Sequence, residues 1–196
     1  MLVGIVVPTV EGREGCLEDC LESHAQGGLP CDFAIIENEL TCGDAWNKGA
    51  KVLERRHGER MTHILFTADD LIATPGYLVS AMTACKDKTL PAPMLWNDTE
   101  QGLQMADPRE TPGATAVFSR IPFFPIEVYR QLGPVPGEPA LHYYSDCWYG
   151  DVAIHKGYTF QVVPGFAFMH SWHPAGRMDE TRYDDRNRYE RFRAQL

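Results

Sequence analysis

The sequence predicts an α/β fold whose first half carries a mostly parallel sheet. Apolar runs rich in β-branched residues end abruptly at polar ones, stripes of apolar residues at helical spacing follow them, and the connections are short. Strands and helices alternating this way wind as right-handed crossover units, which bring the carboxyl ends of the strands to one edge of the sheet.

Leu2 to Val7 is a continuous apolar run stopped by Pro8-Thr9, as expected of a strand buried on both faces. Leu17, Cys20, Leu21 and His24 then recur at helical spacing until Gly27-Gly28-Leu29-Pro30 ends the helix. A second short strand, Phe33 to Ile36, runs into Glu37-Asn38. Thr41 followed by Asp44 resembles a capping box, and Trp46, Ala50 and Leu53 mark the buried stripe of the next helix. The third strand is His63 to Phe66, followed by Thr67-Ala68-Asp69-Asp70. Thr74 as N-cap with Pro75 in the first helical position opens a helix whose stripe is Tyr77, Leu78, Ala81, Met82 and Cys85.

The second half has a different texture. Short β-like runs, Met94 to Asn97, Gly102 to Met105 and Ala114 to Phe118, sit among prolines and glycines and suit a mixed sheet. Pro122 to Gly137 is too rich in proline for regular structure beyond one short helix near Ile126 to Leu132. From Met178 the charges are dense and mixed in sign, and Asp184 with Arg188 at i,i+4 supports a solvent-facing helix, either a terminal lid or a plain surface element.

A chain of 196 residues is long enough for one well-buried core, and one domain is expected. The net charge of −9 argues against broad binding to nucleic acid or anionic membrane, which needs a basic face. Cys16, Cys20, Cys31, Cys42, Cys85 and Cys147 show no paired metal-ligand spacing and read as reduced thiols. The amino terminus carries no basic leader and no apolar stretch approaches a membrane span, so a soluble cytoplasmic protein is expected.

Three polar breaks follow the three predicted strands: Thr9 with Arg13, Glu37-Asn38, and Asp69-Asp70. A parallel sheet gathers them on one rim. Two adjacent carboxylates repel unless a cation, solvent or a proton offsets their charge, so Asp69-Asp70 suits either a metal and phosphate site or a solvated turn.

In this order and spacing the residues resemble the nucleotide-diphosphosugar glycosyltransferases of the GT-A fold, most nearly the inverting family two. The resemblance rests on Val6-Val7-Pro8-Thr9 with Arg13, the acidic end of the second strand, Gly43-Asp44-Ala45-Trp46-Asn47-Lys48-Gly49, Phe66-Thr67-Ala68-Asp69-Asp70, Ser145-Asp146 with Gly150 and Gly157-Tyr158, and the late His170. Ala68 and Ser145 stand where the family usually carries acids, and the Gln-x-x-Arg-Trp signature of processive synthases is missing, which favours single addition.

The resemblance implies a single-domain GT-A (Rossmann-like) fold over 1–196, with a nucleotide-binding half (1–90), a mixed β acceptor side (91–176) and a charged tail helix (177–196). It implies transfer of one sugar, with inversion, from a nucleotide-diphosphate sugar, UDP-sugar being favoured, assisted by Mn²⁺ or Mg²⁺. Asp70 is the expected metal ligand with His170 as the second, although a histidine after Phe166-Ala167-Phe168 also suits a structural role. His173 is a weaker alternative. Pro8, Thr9, Arg13, Glu37, Asn38, Asn47 and Asp69 fall on the nucleotide side; Glu37 and Asn38 also suit a helix cap and surface charge.

Asp146 is the expected general base, set among Tyr143, Tyr144, Trp148 and Tyr149, whose rings suit either sugar stacking or a core with Asp146 capping a helix. Tyr144, Trp148 and Trp96, with Trp172 a further candidate, would meet the acceptor. That acceptor is a saccharide, a protein, a small molecule or, less favoured by the acidic chain, a hydroxylated DNA base reached through Arg120, Arg130 and the tail arginines. A catalytically silent nucleotide-sugar binding module is the rival reading. A sugar-phosphate nucleotidyltransferase is a third, but Val10-Glu11-Gly12-Arg13 lacks its Gly-rich phosphate loop.

Overall fold

The computed structural model describes residues 1–99, 102–105, 120–171 and 179–196. The Ala114 to Phe118 run, Trp172 and His173 lie outside them. Strand β1 (Leu2–Thr9) is central, with β2 (Cys31–Glu37) parallel on one side and β3 (Met61–Phe66) parallel on the other. Its run is apolar throughout because both faces are buried: Val3, Ile5 and Val7 enter one core cluster and Val6 the other. β1 runs one residue past its expected end at Pro8, and Pro8 and Thr9 pair with Ile36 and Glu37. Pro8 is tolerated because pairing with β3 has already ended at Val6, leaving β1 a ladder partner on one side only.

Helix α1 (Glu14–Ala25) follows β1, and α2 (Cys42–His57) follows β2. Thr41 caps α2 as predicted: its Oγ1 accepts from the Asp44 amide at 3.0 Å and donates to Asp44 Oδ2 at 2.7 Å. Gly49 lets α2 lie against β1, since a Cβ there would stand 2.3 Å from Val6 Cγ1.

After β3 the chain turns into β4 (Leu71–Ala73), unanticipated at three residues, and then α3 (Tyr77–Ala84). The predicted cap at Thr74-Pro75 is corrected: α3 starts after Gly76, in left-handed conformation at φ 75°. The Thr74 amide and hydroxyl both donate to the Ala167 carbonyl, at 3.0 and 3.2 Å, so a tertiary bond takes up the capping side chain.

The second half contains β5 (Thr89–Thr99), β6 (Gly102–Met105), β7 (Phe123–Pro125), α4 (Ile126–Leu132), α5 (Ser145–His155), β8 (Thr159–His170) and α6 (Asp179–Arg193). β5 extends well beyond the predicted Met94 to Asn97. β7 lies in the segment expected to be irregular apart from its helix; it persists because Phe123 and Phe124 pair with Leu65 and Ile64 at the sheet edge. One sheet thus runs β2-β1-β3-β7, parallel but for β7. The other runs β4-β8-β5-β6, with β5 and β8 parallel and the outer strands antiparallel, the mixed sheet that was expected. Among the described residues all six cysteines are free thiols, and no helix is long and apolar enough to cross a membrane.

Candidate functional site

The corner between the two sheets is built from Thr67 to Asp70. The Thr67 amide donates to the Val6 carbonyl at 3.1 Å, Trp46 Nε1 donates to the Thr67 carbonyl at 3.2 Å, and the Cys20 thiol donates to the Ala68 carbonyl at 3.4 Å. Buried His24 meets the Thr67 hydroxyl at 3.5 Å and the Tyr77 hydroxyl on its other nitrogen. Burial pulls the His24 imidazole down to about 4, so it serves this corner as a neutral core group.

Asp69 is 3% exposed and accepts a 2.7 Å hydrogen bond from Thr9 Oγ1. Arg13 Nη2 lies 3.1 Å from Asp69 Oδ1 and 2.9 Å from Asp70 Oδ2, so one guanidinium bridges both carboxylates. Leu71 pairs with His170 across β4 and β8, which puts His170 Nε2 3.4 Å from Asp70 Oδ2. Thr9 at the end of β1, Arg13 just before α1 and Asp69-Asp70 in the β3–β4 turn therefore meet on one rim as expected, and His170 joins them from β8.

The two carboxylates differ in their titration. Burial pushes Asp70 up, but the hydrogen bonds and charges of His170 and Arg13 outweigh it and hold the carboxyl down to about 2. Burial pushes Asp69 up as well, and there Thr9 and Arg13 oppose it only in part, with Asp70 adding repulsion.

Sequence reasoning missed Asn97. Its Oδ1 lies 3.2 Å from His170 Nδ1, on the strand position paired with His170. With Asn97 Oδ1 accepting the Nδ1 proton, His170 donates to Asp70 through a proton on Nε2 as the imidazolium, and a metal ion taking that proton's place would meet the Nε2 lone pair. The signal was a polar residue closing the run Met94-Leu95-Trp96.

Among the described residues no group of three or more His, Cys, Asp or Glu side chains is arranged to hold a metal ion. Asp70 and His170 do fit as two adjacent ligands. Groups at right angles on an ion with bonds of 2.0–2.1 Å are about 3 Å apart, and phosphate oxygens and waters ordinarily complete such a shell.

On the nucleotide rim, Glu37 is exposed and in register with Thr9. Asn38 is left-handed at φ 55°; its amide donates to the Thr9 carbonyl at 3.1 Å, and its Oδ1 accepts from the Glu11 amide at 3.3 Å. Asn47 has another task. Its amide group accepts from the Val135 N–H and donates to the Val135 carbonyl, both at 2.9 Å, tying α2 to the chain before α5.

Asp146 lies in the first turn of α5, half-buried, next to fully enclosed Ser145. Burial raises its carboxyl, opposed by the Cys147 amide and the charge of Arg120. The Cys42 thiol, at the start of α2, is pushed up by burial and then by Asp146, Asp70 and Asp69 together, so the α2 amino terminus lies within electrostatic reach of both parts of the site.

Of the residues expected at the acceptor side, Tyr144 and Trp148 pack against the chain's own tail. Tyr144 stacks on Tyr189 with ring centroids 5.2 Å apart, and Trp148 meets Phe192 edge-on at 6.0 Å. Trp96 stays exposed, paired in register with exposed Met105.

No protein-family model matches the chain, and no curated protein matches it significantly in sequence. Solved structures match it in shape. The catalytic domain of Drosophila β1,4-galactosyltransferase 7 in complex with xylobiose aligns at TM-score 0.61 and 11% identity over 94% of this chain and 79% of that one. S. aureus TarS aligns at 0.60 and 15% identity over 94% of this chain and 38% of its own. The mannosyltransferase PcManGT from Pyrobaculum calidifontis, in complex with GDP-Man and Mn²⁺, aligns at 0.56 and 13% identity over 96% and 61%. The chain thus spans well under half of TarS and under two thirds of PcManGT. At such identities the likeness is one of fold, and the fold is GT-A.

Proposed function

We propose that this GT-A chain is a metal-dependent glycosyltransferase that moves one sugar from a nucleotide-diphosphate donor, UDP-sugar favoured, to an acceptor hydroxyl with inversion. The observation that carries the reading is the convergence of Asp69, Asp70, Arg13 and His170 at the corner of the two sheets. Fold neighbours with GDP-Man and Mn²⁺, or with manganese, UDP-Gal and xylobiose, support it.

Asp70 and His170 would hold Mn²⁺ or Mg²⁺, which when bound stabilises charge on the departing diphosphate as a Lewis acid. Asp69, fixed by Thr9, orients the nucleotide side. Arg13, shared by the two carboxylates, is the cation at hand for a diphosphate oxygen. Glu37 and the Asn38 turn offer polar groups to a base edge. Asp146 takes the proton of the acceptor hydroxyl as its oxygen bonds to the anomeric carbon and the nucleoside diphosphate leaves. A carboxyl raised by burial is better matched to that proton transfer than a fully solvated one.

A panel of UDP-, GDP- and TDP-sugars with Mn²⁺ tests the reading through release of nucleoside diphosphate. One donor should be hydrolysed slowly, and Asp146→Asn should abolish this while nucleotide binding survives. Binding without turnover in the wild type would indicate a silent module, and no binding of any nucleoside diphosphate with metal would sink both.

A further inference from the structure

Helix α6 grips the segment that delivers Asp146. Asp185 is 2% exposed, and its Oδ2 accepts from the backbone amides of His142 at 2.8 Å and Tyr143 at 2.9 Å. Its Oδ1 takes Arg188 Nη1 at 3.3 Å, and Arg188 also donates to the Pro139 carbonyl. The next residue, Tyr144, is left-handed at φ 67°, an unfavourable conformation for an aromatic side chain, and Tyr189 of α6 is stacked on its ring. Ser145 and Asp146 follow at once.

The same segment is held from the other side by α2. The Gly43 amide donates to the Leu141 carbonyl at 2.9 Å, the Cys42 amide to His142 Nδ1 at 3.2 Å, and the Ala140 amide to Asp44 Oδ1 at 3.3 Å. α2 leads back to the nucleotide rim, so 139–144 is a bridge between the donor side and the base. A buried carboxylate is a demanding way to cap two amides that water or a neutral side chain would satisfy. Its placement beside a strained residue one position before Ser145-Asp146 gives the charge a purpose beyond folding.

We propose that Asp185, supported by Arg188 and Tyr189, is a positioning residue that fixes the 139–144 bridge and so aims Asp146 at the acceptor hydroxyl. The inference rests on Asp146 being the base of the proposed transfer. Displacing a reacting group by about 1 Å commonly lowers rate by up to about 100-fold while leaving ligand contacts intact.

The test compares Asp185→Asn with the full-length wild type in three measurements: UDP binding with Mn²⁺, the kcat and KM of donor hydrolysis with the pH profile of kcat, and the NMR titration of the Asp146 carboxyl, assigned by difference from Asp146→Asn. The expected result is UDP affinity within about two-fold of wild type, kcat down by 10- to 100-fold at unchanged KM, and a displaced Asp146 titration matched by the pH profile. Unchanged kcat and titration would overturn the proposal, as would loss of UDP binding in step with kcat, the mark of a general structural role. If Asp185→Asn does not fold, Tyr189→Leu removes the Tyr144 stack, keeps the Asp185 bonds and carries the same expectations. If the wild type hydrolyses no donor, the glycosyltransferase reading fails by itself; the titration then decides the positioning, an unmoved Asp146 counting against it and a displaced one for it.

Discussion

Replacing Asp70 by Asn removes a charge that the folded chain holds between Arg13 and His170, at 2.9 and 3.4 Å. The folded carboxyl lies at about 2, against about 3.9 in an unfolded chain. A carboxyl depressed by folding stabilises the protein above its unfolded pKa, and that contribution is lost as the pH falls through the folded value. The gap corresponds to about 2.5 kcal/mol at neutral pH. Part is returned because Asp69, raised by burial and by its neighbour's charge, is relieved when Asp70 is neutral, leaving a net loss of about 1–2 kcal/mol. For a chain of this size that is a fall in Tm of about 2–8 °C. Calorimetry in metal-free buffer should find this difference at pH 7 and see it close between pH 4 and 2. Adding UDP with Mn²⁺ should then stabilise the wild type but not the variant. A variant as stable as wild type at pH 7 would refute the ion-pair geometry, and one still stabilised by UDP with Mn²⁺ would refute Asp70 as a ligand.

The remaining predictions use the same site and its supports. Asp146→Asn removes a carboxylate that burial disfavours, so Tm should rise while donor turnover disappears; a lower Tm would contradict its raised titration. Thr9→Val breaks the 2.7 Å bond to buried Asp69 and should lower stability by about 1–3 kcal/mol in urea melts, an unchanged midpoint arguing against that bond. Gly43→Ala places a Cβ 2.7 Å from the Leu141 carbonyl oxygen; it should destabilise by about 1–3 kcal/mol and lower kcat more than UDP affinity, and equal losses would count against the bridge. His24 is held down to about 4 by burial, so between about 6.5 and 4 the unfolded chain binds a proton that the folded chain does not. Stability should be complete above that window and fall by about 3 kcal/mol on crossing it downward; a flat urea midpoint from pH 7 to 4 would show that His24 titrates normally.

What the sequence made legible was what local pattern controls. The unbroken run from Leu2 to Val7 announced a strand buried on both faces, and polar breaks after three such runs placed Thr9, Glu37 and Asp69-Asp70 on one rim. Long-range partners were hidden. Thr74-Pro75 reads as a helix start until the Ala167 carbonyl takes the Thr74 hydroxyl. Phe123 to Pro125 becomes a strand only because the β3 edge is open to it. Asn47 matched a nucleotide-side motif, yet its amide is bound to Val135, 88 residues on. The aromatics around Asp146 looked like an acceptor platform, and nothing near them in sequence announces that Tyr189 and Phe192 return to cover Tyr144 and Trp148. Asp185 looked like one charge among many in the tail, and only its two backbone partners distinguish it.

The central claim is that Asp70 and His170 form a metal site beside a diphosphate. Pulsed EPR of Mn²⁺ with UDP tests it most directly, because the spectrum reports both occupancy and the nuclei touching the ion. One bound Mn²⁺ is expected, with ¹⁴N coupling from a single imidazole, the coupling vanishing in His170→Ala and binding collapsing in Asp70→Asn. Bound Mn²⁺ without nitrogen coupling, or with a spectrum that neither substitution alters, would contradict it.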